Sequence, residues 1–140
     1  MRSLHYRGTS TAPGLVLALD AGTGAVCDGV ALRVAPHETT AVLAALRARE
    51  LTASAYVERS VPLLLQDGRT IAAITYVIDR AHPLYAPMPL DRQAQIIASA
   101  AGERGSNAEY LFSTQTHLAE LGLADTEMDQ LATLVRRHMG

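Results

Sequence analysis

Within ALRARELTASAYVERSVPLLL, residues 45–65, a helical pattern runs into Glu50 and a strand pattern begins a few residues later. Upstream, HETTAVLAALRARE (37–50) spaces Val42, Leu43, Ala45 and Leu46 as the apolar side of a helix, with Thr39 or Thr40 placed to cap its start. Downstream, SAYVERSVPLLL (54–65) alternates as a strand, and Pro62, which has no N–H to give a ladder, assigns it to an edge or a bulge. QDGRT (66–70) is a hairpin turn, because Asp-Gly accepts the positive φ angles of a two-residue loop. TIAAITYVID (70–79) then pairs back as the next strand.

On the N-terminal side, GLVLALD (14–20) is a continuous apolar run suited to a strand buried on both faces. After the AGTG turn (21–24), DGVALRV (28–34) reads as a second strand, and the two are expected to form a hairpin around Cys27. On the C-terminal side the period changes. Leu90, Ala94, Ile97 and Ala101 recur at helical spacing before Gly102. Ser106 and Glu109 stand at capping-box spacing, ahead of a stripe of Leu111, Thr114, Leu118 and Leu121 that Gly122 stops. Asp125 opens a last helix with Met128, Leu131 and Val135 on one face. Strands followed by helices predict an α+β fold, organised as a single domain over residues 1–140.

Composition narrows the function. Hydrophobic residues make up 49% of the chain, enough for a packed core. The net charge of −2 gives no electrostatic reason to expect nucleic acid or an acidic membrane surface. With no Trp and one Phe, there is little material for stacking on bases. No apolar run reaches the roughly 20 residues that cross a bilayer, and MRSLHYRGTSTAPG has no apolar stretch of the kind a secretory leader needs. The lone Cys27 rules out a disulfide framework within the chain. A cytoplasmic protein is expected, with no nucleic-acid or membrane partner.

Glu50 is the residue of greatest chemical interest. Leu43, Leu46 and Glu50 stand at i, i+3 and i+7, so the carboxylate continues the apolar stripe. A carboxylate there is partly desolvated and holds its proton more readily, which suits a general acid or base. The other reading has Glu50 turning to solvent or pairing with Arg47 or Arg59; position alone leaves both open. Elsewhere the signals are weak. AGTGAVCDG lacks the glycine and lysine spacing of a phosphate cradle. Cys27 has no neighbouring base. His5, His37, His82, His117 and His138 show neither H-x-x-x-H nor H-E-x-x-H, so no metal site is expected. DRAHP (79–83) reads as a strand exit with a charge pair. Tyr110, one turn into a capped helix, reads as a core tyrosine with a hydrogen-bonded hydroxyl.

Taken together and in order, HYRGTSTAPGLVLALD, DGVALRV, VLAALRAREL, YVERSVP, AITYVIDRAHPLYAP and GSNAEYLFSTQTHLAELG resemble the ChaC family of γ-glutamylcyclotransferases. The resemblance runs from about Leu4 through the last helix. It implies cleavage of glutathione to 5-oxoproline and cysteinylglycine, on a mixed β-sheet or small barrel flanked by helices. By the same resemblance, Glu50, which closes the R-x-R-E helix, is the catalytic acid–base. Tyr110, in the N-x-E-Y-L start formed by Asn107, Glu109, Tyr110 and Leu111, positions the substrate.

The chain departs from that pattern in one place. The family's N-terminal strand and G-Y-G-S-L loop, which hold the γ-glutamyl group, have no counterpart in these residues. An N-terminally truncated sheet is therefore expected, with an open edge that either pairs two chains as a homodimer or is rearranged. The implied reaction needs no cofactor. A second functional class is also open: a catalytically silent family member that binds a small metabolite or a protein partner.

Overall fold

The computed structural model describes residues 1–52, 54–123 and 125–140. In chain order the elements are β1 (Arg2–Ser3), β2 (Gly14–Leu15), a 3-10 turn (Pro36–Glu38), α1 (Thr39–Glu50), β3 (Tyr56–Leu64) and β4 (Thr70–Ile78). There follow α2 (Leu90–Ser99), β5 (Ala101–Gly102), β6 (Gly105–Ser106), α3 (Asn107–Glu120) and α4 (Thr126–Met139). The fold is α+β, its strands paired antiparallel in three two-stranded sheets. The chain divides into two compact units, one formed by Met1–Leu17 with Ala86–Gly140, the other by Ala18–Tyr85.

The first unit is built on helix packing. Ser106 caps α3 by accepting the N–H of Glu109 at 3.1 Å, and Asp125 caps α4 by accepting that of Met128 at 2.9 Å. Both starts lie where the sequence puts them. On α4, Met128, Leu131, Ala132 and Val135 are buried and close a core with Leu15, Ala94, Ile97, Ala108 and Leu111. α2 ends at Ser99, two residues short of the expected stripe. The reason is a competing set of bonds: Glu103 and Arg104 give their N–H groups to the carbonyls of His5 and Tyr6, which draws 101–106 into the β5–β6 hairpin.

β2 is also shorter than the apolar run 14–20 suggests. The N–H and C=O of Leu15 are taken up by the buried Asn107 side chain, at 2.6 Å each, in place of a further strand. Gly8 and Gly14 make this packing feasible. A Cβ on Gly8 would overlap the backbone of Gly14, and one on Gly14 would overlap the carbonyl of Arg7.

The second unit carries α1 and the β3–β4 hairpin, in register from Tyr56↔Ile78 to Leu64↔Thr70. β3 has a sheet partner on one side only among the described residues, the edge position that Pro62 requires. The turn is one residue longer than expected. Leu65 donates to the Arg69 carbonyl at 2.8 Å, leaving residues 66–68 between them, with Gly68 alone at positive φ (+85°). Neither threonine caps α1; Glu38 precedes it without a side-chain cap, and the Thr39 hydroxyl donates back to the carbonyl of Ala35. Residues 28–34 form no strand. Their alternation fits a half-buried strand, but among the described residues no segment offers them a hydrogen-bonding partner, and Val30 and Leu32 are exposed.

Candidate functional site

The two residues of interest fall in different units, Glu50 in the second and Tyr110 in the first. Glu50 is the last residue of α1. Along that helix the less exposed positions are Val42, Leu43, Leu46 and Glu50, so the acid continues the stripe that its spacing predicts. Its side chain keeps 26% of its accessible surface. Its ionic partner is Arg49, whose guanidinium meets Oε1 at 2.7 Å, and neither Arg47 nor Arg59. The chain leaves α1 through Leu51, whose N–H bonds to the Arg47 carbonyl at 2.9 Å, and passes Ser54 at a left-handed φ of 53° before entering β3.

Beside Glu50 lies a network for which the sequence gives only a partial signal. Arg47 holds Glu58 of β3 with both arms of its guanidinium, Nε to Oε2 at 2.7 Å and Nη2 to Oε1 at 2.8 Å. Tyr76 of β4, directly across the hairpin from Glu58, donates its hydroxyl to Oε2 at 3.1 Å. Hydrogen bonding to Arg47 holds the Glu58 carboxyl below the usual carboxylate range. The Tyr76 phenol is pushed up, first by partial desolvation and then by its bond to Glu58; the charge of Glu50 adds to the effect.

A second polar cluster joins distant parts of the same unit. Asp20 accepts from Arg80 Nε at 2.8 Å and from the Tyr85 hydroxyl at 2.9 Å. The Arg80 bond holds its carboxyl low. The adjacent acid, Asp79, instead accepts the Ala81 N–H at 2.9 Å, so the charge pair expected within DRAHP does not form. The two-residue turn expected at Asp-Gly would set Glu58 opposite Val77, and the three-residue turn sets it opposite Tyr76; nothing local announces that Asp20 meets Arg80.

In the first unit, Tyr110 sits in the opening turn of α3 with its hydroxyl accepting the Leu17 N–H at 3.3 Å. Arg7 covers its ring, the guanidinium carbon 5.5 Å from the centroid, while donating to the Ser106 carbonyl at 3.1 Å and pairing with Glu109 at 3.5 Å. The ring is half-buried, with a polar tip and a cation on its face. Among the described residues no three His, Cys, Asp or Glu side chains are gathered so as to hold a metal ion. No helix among them is long and apolar enough to cross a membrane. Cys27 is exposed, its thiol 3.6 Å from the carbonyl of Asp28.

The family described as ChaC-like protein matches residues 1–138. The chain is 37% identical to a glutathione-specific γ-glutamylcyclotransferase of Escherichia coli (strain K12), over 98% of this chain and 59% of that protein. It is 31% identical to a glutathione-specific γ-glutamylcyclotransferase of Schizosaccharomyces pombe, over 99% of this chain and 77% of the other. The chain thus spans about six tenths of the length of the Escherichia coli relative. A crystal structure of a yeast γ-glutamyl cyclotransferase specific to glutathione superposes with a TM-score of 0.77 over 98% of this chain and 81% of that one; at 19% identity this likeness is one of fold. The match over nearly every residue, with the R-x-R-E helix and the N-x-E-Y-L start both in place, makes this chain a member of the ChaC-like protein family.

Proposed function

We propose that this protein is a γ-glutamylcyclotransferase that cleaves glutathione, with Glu50 as the proton-transferring group and Tyr110 positioning the substrate. The observation that carries the reading is the place of Glu50 at the end of α1, on its less exposed stripe and beside a polar network, where the resemblance to the family puts the acid–base. The two units are taken to work as one γ-glutamylcyclotransferase-like domain, supported by a single family matching both.

The chemistry follows from the substrate. The α-amine of the γ-glutamyl residue attacks its own γ-carbonyl, so the nucleophile is already tethered and the protein's task is to fold the substrate into a reactive conformer. Near neutral pH that amine is protonated. Glu50 takes one proton from it, and the new C–N bond closes a five-membered ring. The amide bond to cysteine breaks as that proton and the second one shed by the ring nitrogen pass to the departing nitrogen, which leaves as an ammonium group. The products are 5-oxoproline and cysteinylglycine, and the acid ends in its starting state. Tyr110, with its hydroxyl on the Leu17 amide and Arg7 on its ring, would orient the charged end of the substrate.

The test is incubation with glutathione and detection of 5-oxoproline. Glu50→Gln is expected to lower turnover by about 10²–10⁴-fold, the usual worth of a positioned acid–base group, with thermal unfolding unchanged. A variant turning over at the parent rate would end the assignment. We further propose that the protein works in the cytoplasm and pairs as a homodimer through the edge of the β3–β4 hairpin. β3 has a sheet partner on one side only among the described residues, which supplies the edge such pairing needs, and sedimentation at several concentrations reads the pairing directly.

A further inference from the structure

We propose that Glu58 is a positioning residue: gripped by Arg47 and Tyr76, it pins the last turn of α1 to the hairpin and so fixes where the Glu50 carboxylate points. The inference rests on the reading of Glu50 as the acid–base and goes beyond it, because it concerns how that carboxylate is held.

The geometry is specific. Glu58 and Tyr76 are directly opposed across β3 and β4, so both side chains stand on one face of the hairpin. Arg47 reaches that face from α1 with a two-armed grip at 2.7 and 2.8 Å. Exposed ion pairs contribute little as a rule, but a fork with both arms engaged and a third donor on the same carboxylate is the arrangement that does hold a fixed geometry. Arg47 and Glu50 are three apart on the helix and therefore neighbours on its surface. The carbonyl of Arg47 also accepts the N–H of Leu51, closing the turn that carries Glu50. Loss of the fork frees that turn. The phenol of Tyr76 feels the charge of Glu50 as well as that of Glu58, consistent with both acids facing one side of the hairpin.

The arrangement leaves Glu50 with useful freedom. Arg49 engages Oε1, and among the described residues no hydrogen bond is seen to Oε2. A carboxylate tied at one oxygen by a flexible, exposed arginine depends on its backbone for aim. That backbone is what Glu58 anchors.

The experiment is steady-state kinetics with glutathione on Glu58→Ala, Arg47→Ala and the double variant. Expected is a fall in kcat of about 10- to 100-fold, the cost of misplacing a reacting group by a fraction of an ångström to one ångström, with KM within about twofold of the parent. The double variant should be no slower than either single one, since both remove the same tether. Asp67→Asn, which breaks the Arg69–Asp67 pair at the far end of the same hairpin, should leave kcat unchanged. Unchanged kcat in Glu58→Ala, a rise in KM alone, or additive losses in the double variant would overturn the proposal. Full activity of Glu50→Gln would instead remove the acid–base reading, so the two failures are separable. If Glu58→Ala does not fold, Glu58→Gln keeps the shape and decides the kinetics. A readout free of turnover is hydrogen exchange at the Leu51 amide: about tenfold faster exchange in Glu58→Gln supports the tether, and unchanged exchange overturns it.

Discussion

The two units are stabilised by different means. In the first, nine side chains from three helices and β2 form an apolar core, with Val135 and Asn107 fully enclosed. In the second, Ala55 and Ile78 alone among the described residues are buried hydrophobics, and ion pairs and tyrosine hydroxyls tie α1, the hairpin and the 18–25 segment together. Close packing resists deformation, whereas polar ties between half-exposed groups yield to charge and solvent. Glu50, proposed above as the proton-transferring group, lies in this second unit, where small changes of charge alter geometry. The first unit supplies a stiff frame for Tyr110.

The contrast can be broken most forcefully at Asn107. Replacing it with alanine leaves the N–H and C=O of Leu15 buried without partners, and is expected to cost about 3–5 kcal/mol in denaturant unfolding. A loss under about 1 kcal/mol would show that the core tolerates open polar groups and that the contrast is overdrawn. The next effect is one of pH. The carboxyls of Glu58 and Asp20 are held low by Arg47 and Arg80, so the stability they contribute is present above the ordinary carboxylate range and disappears as pH falls through their lowered values. Amide exchange at Ile78 should therefore rise on acidification before exchange at Val135 does. Simultaneous loss of protection would mean that one cooperative unit spans both. The smallest effect sharpens the comparison from the exposed side: Leu32→Ser, at a site 88% exposed, should shift stability by no more than about 0.5 kcal/mol.

The starts of α3 and α4 were the most legible part of the sequence, while the threonine cap expected for α1 does not form. Ser106 and Asp125 cap where their spacing says, because an N-cap is a local device whose donor lies three residues away. The face of α4 and the place of Glu50 on α1 were legible for the same reason. What could not be read were the outcomes set by distant partners. The apolar run at 14–20 is cut short by a side chain 92 residues later. Residues 28–34 alternate as a strand should, yet a strand exists only with a neighbour. The turn after β3 took three residues because Gly68 alone supplies the left-handed conformation. The motifs put Glu50 at the end of α1 and Tyr110 in the first turn of α3, where both lie; their roles are the proposal made above. Glu58 was not singled out, since its meaning depends on the register with Tyr76 and on Arg47 reaching across.

The clasp between Leu15 and Asn107 also sets a timetable for biosynthesis. At roughly 5–20 residues per second on the ribosome, the amide that closes the clasp is made on the order of 5–20 seconds after the segment it grips. During that interval the early glycine-containing segment has no permanent home, whereas the 18–85 hairpin region is already complete. The segment around Leu15 therefore settles late in synthesis, after the middle of the chain has been made.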